Sequence, residues 1–144
     1  MSYLKHSAHE FLLKGNNKVL LGEYKAAIFE FTKAIMADPE LPHPFTCRGA
    51  AKLEIRDYEG AITDCKEALK LHYKTDIDNG DLLDVKNSDN KSSQVNPVYA
   101  RLYLIMGISK MLSGNKDEGM IDLNCARLLG HTDAVDIMKT YQNN

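Results

Sequence analysis

The feature that most constrains this chain is an internal repeat. The segment "GNNKVLLGEYKAAIFEFTKAI", which begins at Gly15, aligns without a gap with "GAAKLEIRDYEGAITDCKEAL", which begins at Gly49. A third copy, "GISKMLSGNKDEGMIDLNCA", begins at Gly107, which is further along than one repeat and indicates an insert before it. A period of a few tens of residues is typical of stacked supersecondary units, each of which buries its apolar face against its neighbours.

Each copy has the pattern of two helices. In the first copy, apolar residues recur three and four positions apart, which favours a helix with one buried face; they are Ala27, Ile28, Phe31, Ala34 and Ile35. The glycine in "LGEY" breaks the pattern before this stripe. Asn96-Pro97 is a favourable helix start, and Gly130 a favourable helix end. We therefore predict an all-α protein of about seven helices, the last of which covers the end of the stack.

The repeats divide the chain into five predicted segments. They are a first repeat at 8–41, a second at 42–75, a polar insert at 76–96, a third repeat at 100–133 and a capping helix at 132–143. The insert, "DIDNGDLLDVKNSDNKSSQVN", is rich in Asp, Asn and Ser, and we expect a long polar loop with at most a turn of helix at its Leu-Leu pair. Its acidic start does not fit a calcium loop, since a register that uses Gly80 puts Thr75, Ile77 and Lys86 at ligand positions.

Composition excludes several classes of function. The net charge of −2 gives no basic field for nucleic acid or anionic lipid, and no apolar run approaches the length of a membrane span. Three cysteines, an odd number, fit a reducing compartment, so we expect a cytoplasmic protein. His6 and His9 share a helix face but lack a third ligand, and no catalytic motif is present. We expect no metal, no cofactor and no enzymatic activity.

The repeat resembles the tetratricopeptide repeat, whose pattern is an aromatic residue, glycine, glycine, tyrosine, alanine, an aromatic residue, alanine and proline. The first copy supplies Phe11, Gly15, Gly22, Tyr24, Ala27, Phe31, Ala34 and Pro39. The second copy departs from the pattern at Arg56, Cys65 and Tyr73, and the third at Lys116, Gly119 and Leu123. The resemblance implies a right-handed superhelix of antiparallel helix pairs. In this family the first helix of each pair lines a concave face, and peptides bind there.

The resemblance assigns a set of residues to that concave groove. They are His9, Leu12, Leu13, Asn16, His43, Thr46, Cys47, Ala50, Arg101, Leu104, Ile105 and Ile108. One subset of the family clamps the C-terminal carboxylate of chaperones with Lys, Asn, Asn, Lys and Arg. Asn16 and Arg101 match that clamp and Arg48 follows its third-helix position, but other clamp positions are replaced by Leu12, Cys47 and Ile105. Asn16 is also compatible with a purely structural hydrogen bond to nearby backbone.

Small residues recur at the same spacing in each copy: Gly15 and Ala27, Gly49 and Ala61, Gly107 and Gly119. Glycine destabilises a helix interior, so we predict that these residues let two helices approach closely. Cys65 lies on an apolar stripe and Cys125 beside one, and both are predicted to be inert packing residues, whereas Cys47 is predicted to be partly accessible.

The function predicted from these observations is a protein–protein interaction module, adaptor-like or co-chaperone-like, that binds a peptide or partner segment. Apolar contact would come from Leu12, Leu104 and Ile108, and orientation from Asn16 and Arg101. The alternative is a structural scaffold or a self-associating protein, for example a homodimer, because exposed apolar surface also marks contacts between copies.

Overall fold

The computed structural model describes residues 2–78 and 97–142 and forms seven α-helices within those ranges. The helices are α1 (Ser2–Leu20), α2 (Tyr24–Ala37), α3 (Pro42–Glu54), α4 (Tyr58–Asp78), α5 (Pro97–Leu112), α6 (Lys116–Leu128) and α7 (Thr132–Gln142). The described residues contain no β-strand. The predicted all-α class is confirmed.

The helices pack as consecutive pairs. The most extensive contacts join α1 to α2, α3 to α4 and α5 to α6, and α7 packs on α6. The short connections within the pairs make the partners antiparallel. The first helices of successive pairs also touch, α1 against α3 and α3 against α5, so they form one layer of the stack. This layer carries the residues that the sequence assigned to a groove.

The core has two apolar clusters. The first surrounds Phe31, which is fully buried together with Ala27, and includes Leu12 and Ala51. The second joins the middle and third pairs and contains Phe45, Cys65, Leu102, Ile105 and Met106 among others. Cys65 is fully buried, and burial is the main reason that the pKa of its thiol is raised to about 12. The predicted packing role of Cys65 is therefore confirmed.

The close helix contacts at the three first-helix glycines are also confirmed. A β-carbon at Gly107 would lie 2.8 Å from Leu123 Cγ, and one at Gly49 would lie 3.2 Å from the Ala61 carbonyl oxygen. At Gly15 the nearest atoms belong to the Phe31 ring rather than to Ala27. In the first pair, α1 therefore packs at Gly15 against the aromatic ring of Phe31, whereas the prediction placed Gly15 opposite the small residue Ala27.

The turns within the three helix pairs have the same backbone geometry. Gly22 and Gly114 have φ angles of 71° and 97°, and Arg56 occupies the corresponding position with a φ of 64°. In each turn two amides hydrogen-bond back to carbonyls of the preceding helix; for the middle turn these bonds run from Arg56 N to Leu53 O and from Asp57 N to Lys52 O. The turn therefore keeps its shape without its glycine.

Two predicted boundaries differ from the structure or extend beyond the described residues. Helix α4 continues to Asp78, past the predicted start of the insert at 76–96, because neither glycine nor proline interrupts it before Gly80. The remainder of the insert, including its Leu-Leu pair and most of the acidic segment tested for calcium binding, lies outside the described residues. Helix α7 ends at Gln142, and residue 143, the predicted end of the capping helix, lies outside the described residues. Among the described helices, none is long and apolar enough to cross a membrane.

Candidate functional site

The inner layer of helices α1, α3 and α5 presents most of the predicted groove residues to solvent. Those that are exposed or partly exposed are His9, Leu13, Asn16, His43, Cys47, Ala50, Arg101, Leu104 and Ile108. They come from three helices that are distant in sequence but adjacent in the stack.

Three predicted groove residues are buried instead. Leu12 is 7% exposed and belongs to the Phe31 cluster, and Ile105 is 5% exposed within the second core cluster. Thr46 is 3% exposed and donates its hydroxyl hydrogen to the carbonyl oxygen of Pro42, at 3.4 Å. These side chains point into the packing between helices, so a ligand cannot reach them, and their assignment to the open groove is wrong.

Four of the accessible residues line one cavity of about 210 Å³. The complete lining consists of Asn16, Val19, Tyr24, Phe31, Cys47, Ala50, Ala51, Glu54 and Arg101. The cavity lies between the inner helices, and the second-helix residues Tyr24 and Phe31 also reach it. The sequence prediction missed Glu54, although its position four residues after Ala50 places it on the same face of α3.

Arg101 supplies the positive charge of this site. The residue is exposed, and within residues 2–78 and 97–142 its guanidinium forms no hydrogen bond or ion pair. The charge of Arg101 also affects His43 on α3. Burial is the main cause that lowers the pKa of His43, and the positive charge of Arg101 lowers that pKa further. The guanidinium is thus held near the cavity without an anionic partner from the described part of the chain.

Cys47 lies between His43 and the cavity. Its sulfur is 3.7 Å from His43 Nε2. Burial raises the pKa of the Cys47 thiol, and the nearby Arg101 charge only partly opposes that effect. A raised pKa disfavours the thiolate, which is the nucleophilic form of cysteine. The predicted partial accessibility of Cys47 is confirmed.

Arg48 does not contribute to the groove. Its guanidinium donates to both carboxylate oxygens of Asp64, at 2.9 Å and 2.7 Å, and to the Thr32 hydroxyl, at 3.1 Å. Lys52 adds a third contact to Asp64, with Nζ 2.9 Å from the carboxylate. Asp64 is 2% exposed, so these cations compensate a buried charge and are committed to the packing of α3 on α4. The clamp-like position of Arg48 is therefore structural.

The third pair repeats this arrangement. Lys110 and Asp122 occupy the positions in the third copy that Lys52 and Asp64 occupy in the second, and Lys110 Nζ is 2.7 Å from the Asp122 carboxylate. Burial acts to lower the pKa of Lys110, but its bonds to Asp122 and Glu118 outweigh burial and raise it. The apolar stripes do not reveal this polar pair, although its recurrence at the same place in two repeats identifies it.

Two shallower cavities adjoin the site. One, of about 510 Å³, lies at the start of α5 and is lined by Pro97, Ala100, Arg101, Leu129, Gly130 and His131. The other, of about 460 Å³, lies at the end of α3 and is lined by Leu53, Glu54, Arg56, Tyr58, Ile108 and Leu112. Arg101 borders the first of these and the central cavity, and Glu54 borders the second and the central cavity. Each of the two flanking cavities therefore shares one lining residue with the central cavity.

Known structures share this architecture. The first tetratricopeptide repeat domain of Spaghetti (RPAP3), bound to the HSP90 peptide SRMEEVD, superposes with a TM-score of 0.73 over 96% of this chain and 93% of that one, at 21% identity. The chain has the tetratricopeptide repeat fold. The second tetratricopeptide repeat domain of human RPAP3, in complex with the HSP70 peptide SGPTIEEVD, gives a TM-score of 0.70 at 22% identity, over 98% of this chain and 97% of that one.

Sequence comparison gives a shorter match. The DnaJ protein P58IPK homologs A and B of rice (Oryza sativa subsp. japonica) are each 41% identical over 66 residues, which is 46% of this chain. The match spans only 14% of the length of those relatives. No family model matches the chain. The tetratricopeptide repeat fold therefore rests on the repeat pattern and on the structural similarity.

Proposed function

We propose that this tetratricopeptide repeat domain is a protein-interaction module that binds an extended acidic peptide along its concave face. The observation that carries the proposal is the central cavity, where Arg101 and Asn16 meet beside the apolar surface of Ala50 and Val19. A carboxylate has a cationic and an amide donor there, and an adjacent apolar side chain has a place to be buried.

The structural neighbours support this ligand class. Two of them were solved with peptides that end in EEVD, one from HSP90 and one from HSP70. In the present chain the Asn16 side chain makes no hydrogen bond to the described residues, so its amide is available to a ligand. Leu12 and Ile105 replace two cationic residues of the full clamp and are buried, and the Glu54 carboxylate lines the same cavity, so we expect weaker binding than a full clamp would give.

The proposal is tested by titrating a fluorescent SGPTIEEVD peptide and its C-terminal amide into the wild-type chain and an Arg101→Gln variant. Arg101→Gln should weaken binding about threefold to tenfold, equivalent to about 0.6–1.4 kcal/mol, because it removes a charge-assisted hydrogen bond in a partly exposed site. Asn16→Ala should produce a smaller loss. The amidated peptide should bind the wild-type chain more weakly than the free acid.

Arg127→Gln is a matched control, because Arg127 is exposed on α6 and donates to Asn124 on its own helix. It should leave affinity unchanged while making the same change in net charge. Equal affinity of the wild-type and Arg101→Gln chains would refute the assignment of the site. Failure of both acidic peptides to bind saturably would refute the proposed ligand class.

Self-association is the alternative function, and one observation favours it. The outer helices α2 and α6 expose large apolar side chains at corresponding repeat positions: Phe29 and Met36 on α2, and Ile121 and Leu128 on α6. Each is more than 60% exposed, which is typical of a contact surface. Sedimentation equilibrium tests this alternative because it measures the oligomeric state. A wild-type dimer that Phe29→Ser dissociates, with no change in peptide affinity, would establish this outer surface as a second interface.

A further inference from the structure

The turn between α3 and α4 has an arginine where the other two helix pairs have glycine. Arg56 has a φ angle of 64°, in the left-handed region that a side chain disfavours. The hydrogen bonds of the turn are the same as those around Gly22 and Gly114, so the backbone does not require arginine. A residue held in a disfavoured conformation at a surface turn indicates a role for its side chain.

The Arg56 side chain borders a cleft with an apolar floor. Leu53, Ile108 and Leu112 contribute apolar surface to this cavity of about 460 Å³, and Leu112 is 47% exposed. Within the described ranges the Arg56 guanidinium forms no hydrogen bond or ion pair. An unpaired guanidinium beside exposed apolar surface is suited to a carboxylate that is flanked by an apolar side chain.

The charges along the groove alternate. Arg101 lies toward the start of α5, Glu54 lies between the central cavity and the Arg56 cleft, and Arg56 lies at the far end. From Arg101 to Leu112 the axis of α5 rises about 17 Å, at 1.5 Å per residue. An extended peptide covers that distance in about five residues.

We infer that the Arg56 cleft is a second subsite of the concave groove and selects the sequence of the bound peptide. The partner segment is extended and carries two acidic groups about five residues apart, one for Arg101 and one for Arg56. An apolar side chain next to the second acid enters the cleft, and the intervening residues are not acidic, because Glu54 repels them. This inference rests on the proposed peptide-binding function of the groove and adds a sequence requirement to it.

The test is a selection of short random peptides, displayed with free carboxyl termini, on the full wild-type chain and on its Arg56→Gly, Arg56→Gln and Arg101→Gln variants. Arg56→Gly relieves the turn and should raise Tm by a few degrees, so loss of binding cannot be attributed to misfolding. Arg56→Gln keeps the backbone strain and removes the charge. On the wild-type chain we expect enrichment of peptides with two acidic residues. On both Arg56 variants the selection should no longer favour the acidic residue that pairs with Arg56.

The affinity of a selected peptide gives the quantitative result. Arg56→Gln should weaken the binding of this peptide about threefold to fivefold, as for a partly exposed ion pair. A peptide in which the acidic residue that pairs with Arg56 is replaced by its amide should bind the wild-type chain and Arg56→Gln equally. If Arg101→Gln changes the selected sequences but neither Arg56 variant does, the second subsite is refuted and the groove function stands. If the wild-type chain enriches no peptide, both the function and the subsite are refuted.

Discussion

Replacement of Gly15 by alanine tests how tightly the first helix pair is packed. A β-carbon at this position would lie 2.6 Å from Cδ1 and 2.9 Å from Cζ of Phe31, whereas carbon atoms in contact are normally about 3.5–4.0 Å apart. Phe31 is fully buried between the helices and borders the central cavity on one side. The added methyl group must therefore separate α1 from α2 or displace the ring.

The expected loss of stability follows from two opposing terms. Forcing an extra methyl group into a packed core costs about 2–3 kcal/mol, and the better helix propensity of alanine offsets about 1 kcal/mol of that cost. The net destabilisation is about 1–2 kcal/mol, which for a chain of this length lowers Tm by roughly 3–8 °C. Differential scanning calorimetry measures this change directly.

The control is Asn17→Ala, two residues further along α1, where the side chain is exposed. This variant gains helix propensity without a clash and should have an unchanged or slightly higher Tm. In a Phe31→Leu background, Gly15→Ala should cost less, because the ring that it meets is gone. A Gly15→Ala protein that unfolds at or above the wild-type temperature would refute the close-packing argument.

Three further predictions follow from the polar contacts. Asp64→Asn should destabilise the fold by about 2–4 kcal/mol in urea unfolding, because it removes the buried carboxylate that pairs with the partly buried cations of Arg48 and Lys52. Glu67→Gln, in an exposed ion pair with Lys70, should change the stability by less than about 0.5 kcal/mol. The pKa of His43 is lower in the folded chain than in the unfolded chain, so the unfolded chain binds more protons as pH drops below 6.5, and the free energy of unfolding should fall there. Because the Arg101 charge contributes to this lowering, NMR titration should show a higher His43 pKa in Arg101→Gln. Alkylation of Cys47 should block peptide binding by filling the cavity, and Cys47→Ala should retain binding.

The fold was predictable because several local signals agree. The recurrence of Gly15, Gly49 and Gly107 in matching segments indicated the repeat, and Gly130 with the apolar face after it indicated the capping helix. Residue type does not mark Arg56 as left-handed, but in the repeat alignment it takes the position of Gly22, and the structure gives both residues a positive φ. Repeat registration thus carries information that the residue types do not.

The site was only partly predictable. Position in the repeat identified Asn16 and Arg101, which line the same cavity. It also assigned Leu12 and Ile105 to the open face, but the structure buries both side chains between helices. Whether an inner-helix side chain faces the groove or the next helix depends on how successive pairs are rotated, and a single sequence does not specify that rotation. Glu54 was missed for a different reason: its spacing from Ala50 placed it on the same face of α3, but the two cavities that it lines are visible only in the structure.

The most direct test of peptide binding at the concave face is chemical-shift mapping of the ¹⁵N-labelled chain during titration with SGPTIEEVD. We predict saturable shifts concentrated at Asn16, Ala50 and Arg101, with little change at Phe29 and Ile121 on the outer helices. In Arg101→Gln the same shifts should saturate at a peptide concentration about threefold to tenfold higher. Shifts confined to the outer helices, or an unchanged dissociation constant in Arg101→Gln, would contradict the claim that the concave face binds acidic peptides.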